Sequence, residues 1–168
     1  ERSEGPFSCP RCRSEVILRK GHIRVHHFAH KPPVTCVLGL GETEQHLRAK
    51  LAIFDALRRE ANVTELDLEK DFGITVADIY VRIDGKPVGL EIQRSNVSVN
   101  DIIARTRRYH QLGIAVLWVG LPTADLLTDR YSPHAWEKWC HGAYFGRVYY
   151  WERGQTFRVV HFGPYNIH

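Results

Sequence analysis

The sequence predicts a mixed α/β domain that follows a small metal-binding module, and three observations support this prediction. Two strand-like segments, "GITVADIYVRI" and "KPVGLEIQRS", are separated by Asp84-Gly85, the strongest short signal for a β-hairpin. Segments with helical and strand periodicity alternate on either side of this hairpin. The first 36 residues hold three cysteines and too few apolar residues to form a core unaided.

The composition fits one compact globular domain with a small appended module. The chain has 168 residues, of which 43% are hydrophobic and 25% are charged. No apolar run approaches the roughly 18–20 residues that span a bilayer, and the first residues lack the apolar segment of a signal peptide. We therefore expect a cytoplasmic protein with no membrane contact. Because the sequence contains no methionine, we also expect it to be excised from a longer product or to have lost its start.

The net charge favours polyanionic partners such as DNA. Lysine and arginine exceed the acidic residues to give a formal charge of +4, and ten histidines add charge if they are protonated.

The segments on either side of the hairpin indicate the order of the elements. Helical spacing of Leu47, Leu51, Phe54, Leu57 and Ala61 predicts a first helix, with Thr43 as its candidate cap. A strand or loop is expected at 64–70. The later segments are a helix at 98–112 ended by Gly113, a buried strand at 114–120, a helix near 134–141 and a hairpin turning at Arg153-Gly154. Along the second helix, Ile102, Ile103, Tyr109 and Leu112 are expected to face inward. We expect a metal module over residues 1–40 and an α/β domain over residues 41–168.

The central hairpin carries the most informative polar residues. A two-residue turn makes Ile83 face Lys86, and the same register sets Asp78 opposite Glu91, with Cβ atoms about 4.5–5.5 Å apart. Gln93 shares the face of Glu91 because side chains alternate along a strand.

Such a carboxylate pair fits a Mg²⁺ or Mn²⁺ site for phosphodiester cleavage. A metal held there, with the Ile92 carbonyl as a possible further ligand, would generate hydroxide and neutralise phosphate charge. Gln93 would orient the water or touch the phosphate. The alternative is a solvated strand face, but apolar neighbours such as Leu90 and Ile92 make two unpaired acids there unfavourable.

The first helix offers three candidate residues. Glu44 is either a partly buried carboxylate that needs a partner or a cap that interacts with the helix dipole. His46 and Lys50 are spaced so that both could face a phosphate, and a solvated surface pair is the alternative.

Arg105 and Tyr109 lie on the inward face of the second predicted helix. An inward arginine needs an anion, which is either an active-site carboxylate or the substrate phosphate. The tryptophans and tyrosines of the C-terminal third could stack on bases, but we favour a core role.

The N-terminal segment predicts a structural zinc site. Cys9, Cys12 and Cys36 are candidate ligands, with His30 preferred over His27 as the fourth on loop reach. These four ligands leave no position for a catalytic water.

Four segments together resemble the competence protein CoiA-like family: "FSCPRCRSEVILRKGHIRVHHFAHKP", "GETEQHLRAK", "VADIYVRIDGKPVGLEIQRSNVS" and "RTRRYHQLGIAVLWV". The resemblance covers residues 7–120 and implies a restriction-endonuclease-like core of the PD-(D/E)XK nuclease superfamily, preceded by a zinc module. It implies that Asp78 and Glu91 are the acidic motif residues and that Glu44 is the helix glutamate.

The same resemblance shows a departure at Gln93, which holds the place usually given to lysine. Because glutamine carries no charge, Lys50 or Arg105 would supply the missing charge. The family context implies DNA processing in natural transformation, and DNA uptake, recombination and defence are the candidate settings.

Three hypotheses follow from these residues. The first is a metal-dependent deoxyribonuclease, which the intact set of Glu44, Asp78 and Glu91 favours, with a homodimer possible for double-strand cleavage. The second is a nucleic-acid-binding module with a degenerate site, motivated by Gln93. The third is a protein-interaction adaptor that uses the aromatic C-terminal third.

Overall fold

The computed structural model describes residues 6–9, 11–19, 27–33, 36, 43–93, 96–128, 131–153 and 156–163. The chain divides into two compact units, Glu1–Arg48 and Ala49–His168. Among the described helices, none is long and apolar enough to cross a membrane.

The first unit contains a three-stranded antiparallel sheet. Its strands are β1 (Phe7–Ser8), β2 (Glu15–Arg19) and β3 (His27–His30), in that order. Among the described residues of this unit, Cys9, Val16 and Cys36 form the buried core, with Phe7 packed beside them. A sheet with so few buried apolar residues is typical of modules that a cross-link or a metal stabilises.

Helix α1 (Glu44–Leu57) begins where the sequence predicts and ends earlier. The Thr43 hydroxyl accepts the His46 backbone N–H at 3.3 Å, which confirms the predicted cap. Ala61 lies in a turn because the next residue, Asn62, binds the hairpin turn at Asp84 through both its carbonyl and its side chain.

The face of α1 that packs on the sheet is also shifted from the predicted stripe. Ala49 and Ile53 are buried, whereas Leu47, Leu51 and Phe54 are half-buried. A small residue such as Ala49 lets the helix approach a sheet surface that is already filled by large aliphatic side chains.

The second unit is built on a six-stranded mixed sheet, which confirms the predicted fold class. The strands, in their spatial order, are β4 (Val63–Asp71), β5 (Val76–Ile83), β6 (Lys86–Gln93), β7 (Ala115–Gly120), β8 (Val148–Arg153) and β9 (Thr156–Val160). The pairs β6–β7 and β7–β8 are parallel, and the outer pairs are antiparallel. The parallel crossovers are made by α2 (Val99–Gln111) and α3 (Ala135–Ala143).

The β5–β6 hairpin has the register that the sequence predicts. Asp84 and Gly85 have φ angles of 48° and 74°, the left-handed pair that a two-residue turn needs. The pairing runs from Ile83 opposite Lys86 to Ile79 opposite Leu90.

Helices cover both faces of this sheet. On one face, α1 packs over a core that includes Ile79, Val81, Leu90 and Ile92. On the other face, α2 and α3 cover a core formed by Ile102, Trp118, Trp136, Cys140, Val148 and Tyr150. The burial of Trp136, Tyr150 and Trp151 agrees with the core role that we favoured for these aromatic residues.

Two expectations about burial were wrong in detail. Leu112 was expected to face inward, but it caps the end of α2 and is 38% exposed. Strand β7 is buried from Trp118 to Gly120, while its first residue, Ala115, is exposed. The predicted turn residue Gly154 lies outside the described residues.

Candidate active site and metal-binding cluster

Asp78 lies where strands β5 and β6 begin to separate. The last residue pair of their ladder is Ile79 opposite Leu90, and the Asp78 carboxylate then accepts the Ile92 backbone N–H at 2.8 Å. The side chain therefore takes the place of a ladder hydrogen bond and is fixed next to Glu91, as the hairpin register predicts.

Glu91 is a buried carboxylate with two strong donors. Its neighbours Leu90 and Ile92 point into the α1 core, so alternation turns Glu91 toward α2, where it is 1% exposed. Arg105 donates to one oxygen at 2.5 Å, and the Tyr109 hydroxyl donates to the other oxygen.

The environment of Glu91 favours its protonated form. Burial is the largest cause and the negative charge of Asp78 is the second, and together they raise the pKa of Glu91 to about 8. Arg105 and Tyr109 act in the opposite direction by stabilising the carboxylate. A site with this balance favours an added cation, because a positive charge would relieve the repulsion between the two acids.

A glycine in β6 makes room for the tyrosine that binds Glu91. A Cβ placed on Gly89 would lie 2.7 Å from the Tyr109 ring, closer than such contacts occur. The Tyr109 ring therefore lies against the backbone of β6 at Gly89, and its hydroxyl reaches Glu91 two residues further along the same face. The sequence signal for this contact is a glycine inside a strand, which often marks a close approach.

Arg105 is held by contacts on both sides. It donates to Glu91, and its guanidinium carbon lies 5.3 Å from the centre of the Trp118 ring. Its side chain remains 34% exposed. The sequence left open whether this inward arginine meets a carboxylate or a phosphate, and in the structure it meets the carboxylate.

Gln93 ends β6 on the same face as Glu91. Its backbone carbonyl accepts the Leu121 N–H at 2.8 Å, which ties the end of β6 to the end of β7. Its side chain is half-buried.

Lys50 binds a glutamate that sequence reasoning missed. The side chain of Lys50 is 3% exposed, and its amine donates to Glu69 at 2.5 Å. Glu69 has a φ of 50° and lies between two β4–β5 pairs, Leu68 with Ile79 and Lys70 with Ala77, which places it across from Asp78. A left-handed glutamate within a strand has no sequence signature, so only the structure could reveal it.

Glu44 and His46 lie in the first unit. Glu44 accepts a hydrogen bond from Arg48 at 2.6 Å along the helix, and the His46 backbone N–H is capped by Thr43. Their catalytic and phosphate-binding roles stay predictions.

The four predicted zinc ligands come together in the first unit. The ligand atoms of Cys9, Cys12, His30 and Cys36 all lie within 4.8 Å of one another. The sulfurs of Cys9 and Cys36 are 3.9 Å apart, and the Cys12 sulfur is 3.4 Å from His30 Nε2. This cluster could bind zinc, which takes four such ligands. The side chain of His27, the alternative ligand, lies outside what the structure describes.

Ser14 is a second residue near the metal cluster that sequence reasoning missed. Its hydroxyl is 2.7 Å from the Cys12 sulfur. Hydrogen bonds from Ser14 are the largest cause that lowers the pKa of Cys12, to about 6. The thiolate is the form that a metal binds.

Another buried carboxylate, Glu137 in α3, was not anticipated. It accepts hydrogen bonds from the hydroxyls of Tyr131 and Tyr150 and from the His134 backbone N–H, at 2.6–2.7 Å. With its oxygens satisfied by three donors, Glu137 fixes the start of α3 against β8.

Comparison with known proteins agrees with this architecture. Residues 1–39 match the family model described as "Competence protein CoiA, N-terminal domain". Residues 42–131, more than half of the chain, match "Competence protein CoiA, nuclease-like domain". The chain belongs to the CoiA family. This confirms the family resemblance of the sequence motifs, and it assigns the domain with Asp78 and Glu91 to a nuclease-like class.

A curated CoiA-family relative supports the same assignment. The chain is 25% identical over 114 residues to the competence protein CoiA of Bacillus subtilis (strain 168). The aligned part covers 67% of this chain and 31% of the relative, so the chain spans about a third of that protein. No solved structure matches the chain.

Proposed function

We propose that this protein hydrolyses DNA phosphodiester bonds with a divalent metal bound at Asp78 and Glu91. The observation that carries the proposal is the pairing of these two acids across a hairpin of a nuclease-like domain. Burying Glu91 beside Asp78 costs free energy that Arg105 offsets only in part, because the pKa of Glu91 stays raised, and a bound cation would offset more of this cost.

The donor set fits Mg²⁺ or Mn²⁺. Asp78 and Glu91 offer carboxylate oxygens and Ile92 offers a backbone carbonyl, which are the hard ligands that these ions prefer. When bound, such an ion supplies a hydroxide-forming water and neutralises charge on the phosphate.

The surrounding side chains have separate proposed roles. Tyr109 holds one Glu91 oxygen and so fixes the carboxylate rotamer. The guanidinium of Arg105 is partly exposed, and its proposed role is to move from Glu91 to the substrate phosphate and neutralise its charge. Gln93 orients the attacking water through hydrogen bonds. Lys50 is a second source of charge, held beside the site by Glu69.

Two residues near the start of α1 also have proposed roles. Glu44 acts as the helix carboxylate and His46 as a phosphate contact. Residues 1–40 form the zinc module and residues 41–168 the nuclease domain. The family matches, which end at residue 39 and resume at residue 42, support this boundary.

The biological setting that we propose is DNA processing in competence. The name of the Bacillus subtilis relative supports this setting. We place the protein in the cytoplasm, since none of its four cysteines, all within the described residues, forms a disulfide and a Cys/His metal cluster suits a reducing compartment. A homodimer would bring two sites to the two strands of a duplex.

A nucleic-acid-binding module with a degenerate site is the second candidate. Both Glu91 oxygens already accept hydrogen bonds, and Gln93 replaces a charged residue. This alternative predicts binding that weakens with salt and no metal-dependent product.

The deciding experiment is cleavage of single- and double-stranded DNA in Mg²⁺, Mn²⁺ and EDTA, with Asp78→Asn beside the wild type. Asparagine still accepts the Ile92 N–H, so the fold is preserved while a metal ligand is weakened. We expect the variant to lose at least about a hundredfold in rate, since even indirect metal partners contribute 10–100-fold. Asp67→Asn, a surface change in the neighbouring strand, is the control.

Metal-dependent product that Asp78→Asn lacks and Asp67→Asn retains would support the nuclease. Tight DNA binding without product in any metal would leave the binding module as the correct function.

A further inference from the structure

A cavity of about 360 Å³ opens beside β8 and β9, on the side of the six-stranded sheet opposite to β4. Its size falls within the range of small-ligand pockets, about 300–1,000 Å³. It combines apolar walls with charged groups and is lined by Pro122, Leu126, Tyr150, Glu152, Arg153 and Arg158. Strands β8 and β9, which supply four of these residues, lie beyond the part of the chain that matches the nuclease-like family model.

The strand registers connect this cavity to the candidate active site. Gln93 pairs with Gly120, Gly120 pairs with Tyr150, and Tyr150 pairs with Arg158. Register partners share a face of the sheet, so this row crosses four strands on one face. Because Glu91 is two residues from Gln93, it lies on that same face.

The cavity also lies at the edge of the sheet where the candidate site lies. Strands β6, β7 and β8 run parallel and end at Gln93, Gly120 and Arg153. The carboxyl ends of parallel strands form the edge where open α/β sheets bind ligands.

Gly120 lies in this row of residues, between the candidate active site and the cavity. A Cβ on this residue would lie 2.6 Å from the Tyr150 ring and 2.8 Å from the Trp136 ring. The Tyr150 ring therefore lies across β7, and its hydroxyl is held by the buried Glu137. One of the residues that line the cavity is thus a tyrosine held in place by packing and by a hydrogen bond.

The charges of the cavity suit a phosphate group. Arg158 pairs with Glu152 on the adjacent strand, and both side chains remain partly exposed, at 45% and 31%. Arg153 is exposed at the end of β8. A planar guanidinium matches the geometry of a phosphate and binds it in preference to remaining in water.

We propose that Arg153 and Arg158 bind a backbone phosphate of the same DNA strand that is cut at Asp78 and Glu91. This inference rests on the proposed function. Three strand spacings separate β6 from β9, which is roughly 14 Å at about 4.8 Å each. Phosphates of one strand recur about every 3.4 Å along the axis of a duplex and lie farther apart through space, so the bound phosphate lies within about four nucleotides of the scissile bond.

The test measures DNA affinity and its salt dependence in an Asp78→Asn background, so that the DNA stays intact. Arg153→Gln and Arg158→Gln should each weaken binding about fivefold, the effect of losing one exposed charge pair. Removing both arginines together should reduce the slope of log affinity against log salt by about 0.7 on single strands or 0.9 on duplexes, the contribution of one phosphate. Glu152→Gln should tighten binding, because it frees Arg158 and removes a negative charge.

Arg82→Gln is the matched control. Arg82 forms a cross-strand pair with Glu65 on the same sheet, with side-chain exposures of 33% and 49%, close to those of the Arg158 pair. It lies near the hairpin turn, at the opposite end of β5 from Asp78. Its removal should change affinity by less than about twofold, while Arg158→Lys, which keeps the charge and loses the planar fork, should bind with an affinity between those of the wild type and Arg158→Gln.

The outcomes separate this inference from the nuclease itself. Equal effects of Arg82→Gln and Arg158→Gln, or weaker binding in Glu152→Gln, would overturn the phosphate site even if the wild type cuts DNA. If the variants change DNA binding as expected but the wild type cleaves no DNA, the phosphate site is supported and the nuclease activity is overturned. Absence of DNA binding in every variant would overturn both.

Discussion

At the scale of single residues, the candidate site depends on a carboxylate that is costly to bury. Glu91 is almost completely shielded from water, and Asp78 adds a second negative charge beside it. Arg105 and Tyr109 offset this cost by donating to its two oxygens. Removing a donor should therefore affect both stability and activity.

Arg105→Gln should destabilise the protein by about 1–2 kcal/mol. Breaking a fully buried pair costs about 3–5 kcal/mol, but Arg105 is one-third exposed and water screens part of its charge. Urea denaturation compared with Arg107→Gln, an exposed position on the same helix, measures the difference. Equal midpoints for the two variants would show that the pair with Glu91 adds no stability.

Gly89→Ala should destabilise the protein by about 1–3 kcal/mol, the usual cost of overpacking. The added methyl group would push the Tyr109 ring off the strand and its hydroxyl away from Glu91, so metal-dependent cleavage should fall as well. Gly142→Ala is the control, since its Cβ would meet open space on α3. Gly142→Ala should be neutral or stabilise by up to about 1 kcal/mol. Full activity in Gly89→Ala would contradict a positioning role for Tyr109.

At the scale of elements, α2 brings Arg105 and Tyr109 to the sheet. The two residues are four apart, so both face Glu91 from one side of the helix. Ser98 caps the start of the helix by accepting the Asp101 N–H at 3.1 Å, and Gly113, with a φ of 68°, follows its end. The helix is therefore fixed at both ends, which holds the two donors in place.

Ser98→Ala should cost about 1 kcal/mol, the usual contribution of a helix cap. Thr123→Ala is the matched control, because Thr123 occupies the same position before a short 3₁₀ helix but makes no capping hydrogen bond with its side chain. The shift in the urea midpoint measures both. A shift as large in Thr123→Ala would mean that the Ser98 hydroxyl has no special role.

At the scale of the whole molecule, the two compact units are stabilised in different ways. The second unit has cores on both faces of a six-stranded sheet. The first unit has three short strands and a core that is largely cysteine. We expect zinc to stabilise the first unit, because metal binding to such a cluster contributes directly to the free energy of folding.

Removal of zinc by a chelator should expose Cys9, Cys12 and Cys36 to alkylation while Cys140 stays protected. Cys140 is fully buried in α3, and burial raises the pKa of its thiol to about 12. Mass spectrometry of alkylated peptides, with circular dichroism of the remaining sheet, measures this difference. Alkylation of all four cysteines at equal rates, or of none, would contradict a structural zinc site.

Local sequence patterns were sufficient to predict those features whose geometry is fixed by residues close together in the chain. A two-residue turn fixes the hairpin register, so Asp78 and Glu91 could be placed together from Asp84-Gly85 alone. The first zinc ligands follow similarly from the short Cys9–Cys12 spacing. Helix caps such as Thr43 depend on residues within one turn.

Contacts between distant segments were not predictable in this way. Helical spacing showed that α1 is amphipathic, but which side chains lie deepest depends on the shape of the sheet beneath, and Ala49 and Ile53 were missed. Glu69, which binds Lys50, adopts a left-handed backbone conformation within a strand, and the sequence gives no sign of it. The row from Gln93 to Arg158 needs three strand registers, and two of these join parallel strands, whose pairing no turn fixes.

The sequence by itself determined the mixed α/β class, the central hairpin with its two acids, the Cys/His cluster and the family. These depend on local periodicity, turn chemistry and the spacing of residue types. Only the tertiary structure decided that Arg105 and Tyr109 bind Glu91, that Gly89 and Gly120 accommodate tyrosine rings, and that Arg158 shares a face with the candidate site. These contacts join residues brought together by strand order and packing, and local sequence carries no record of which segments will be neighbours.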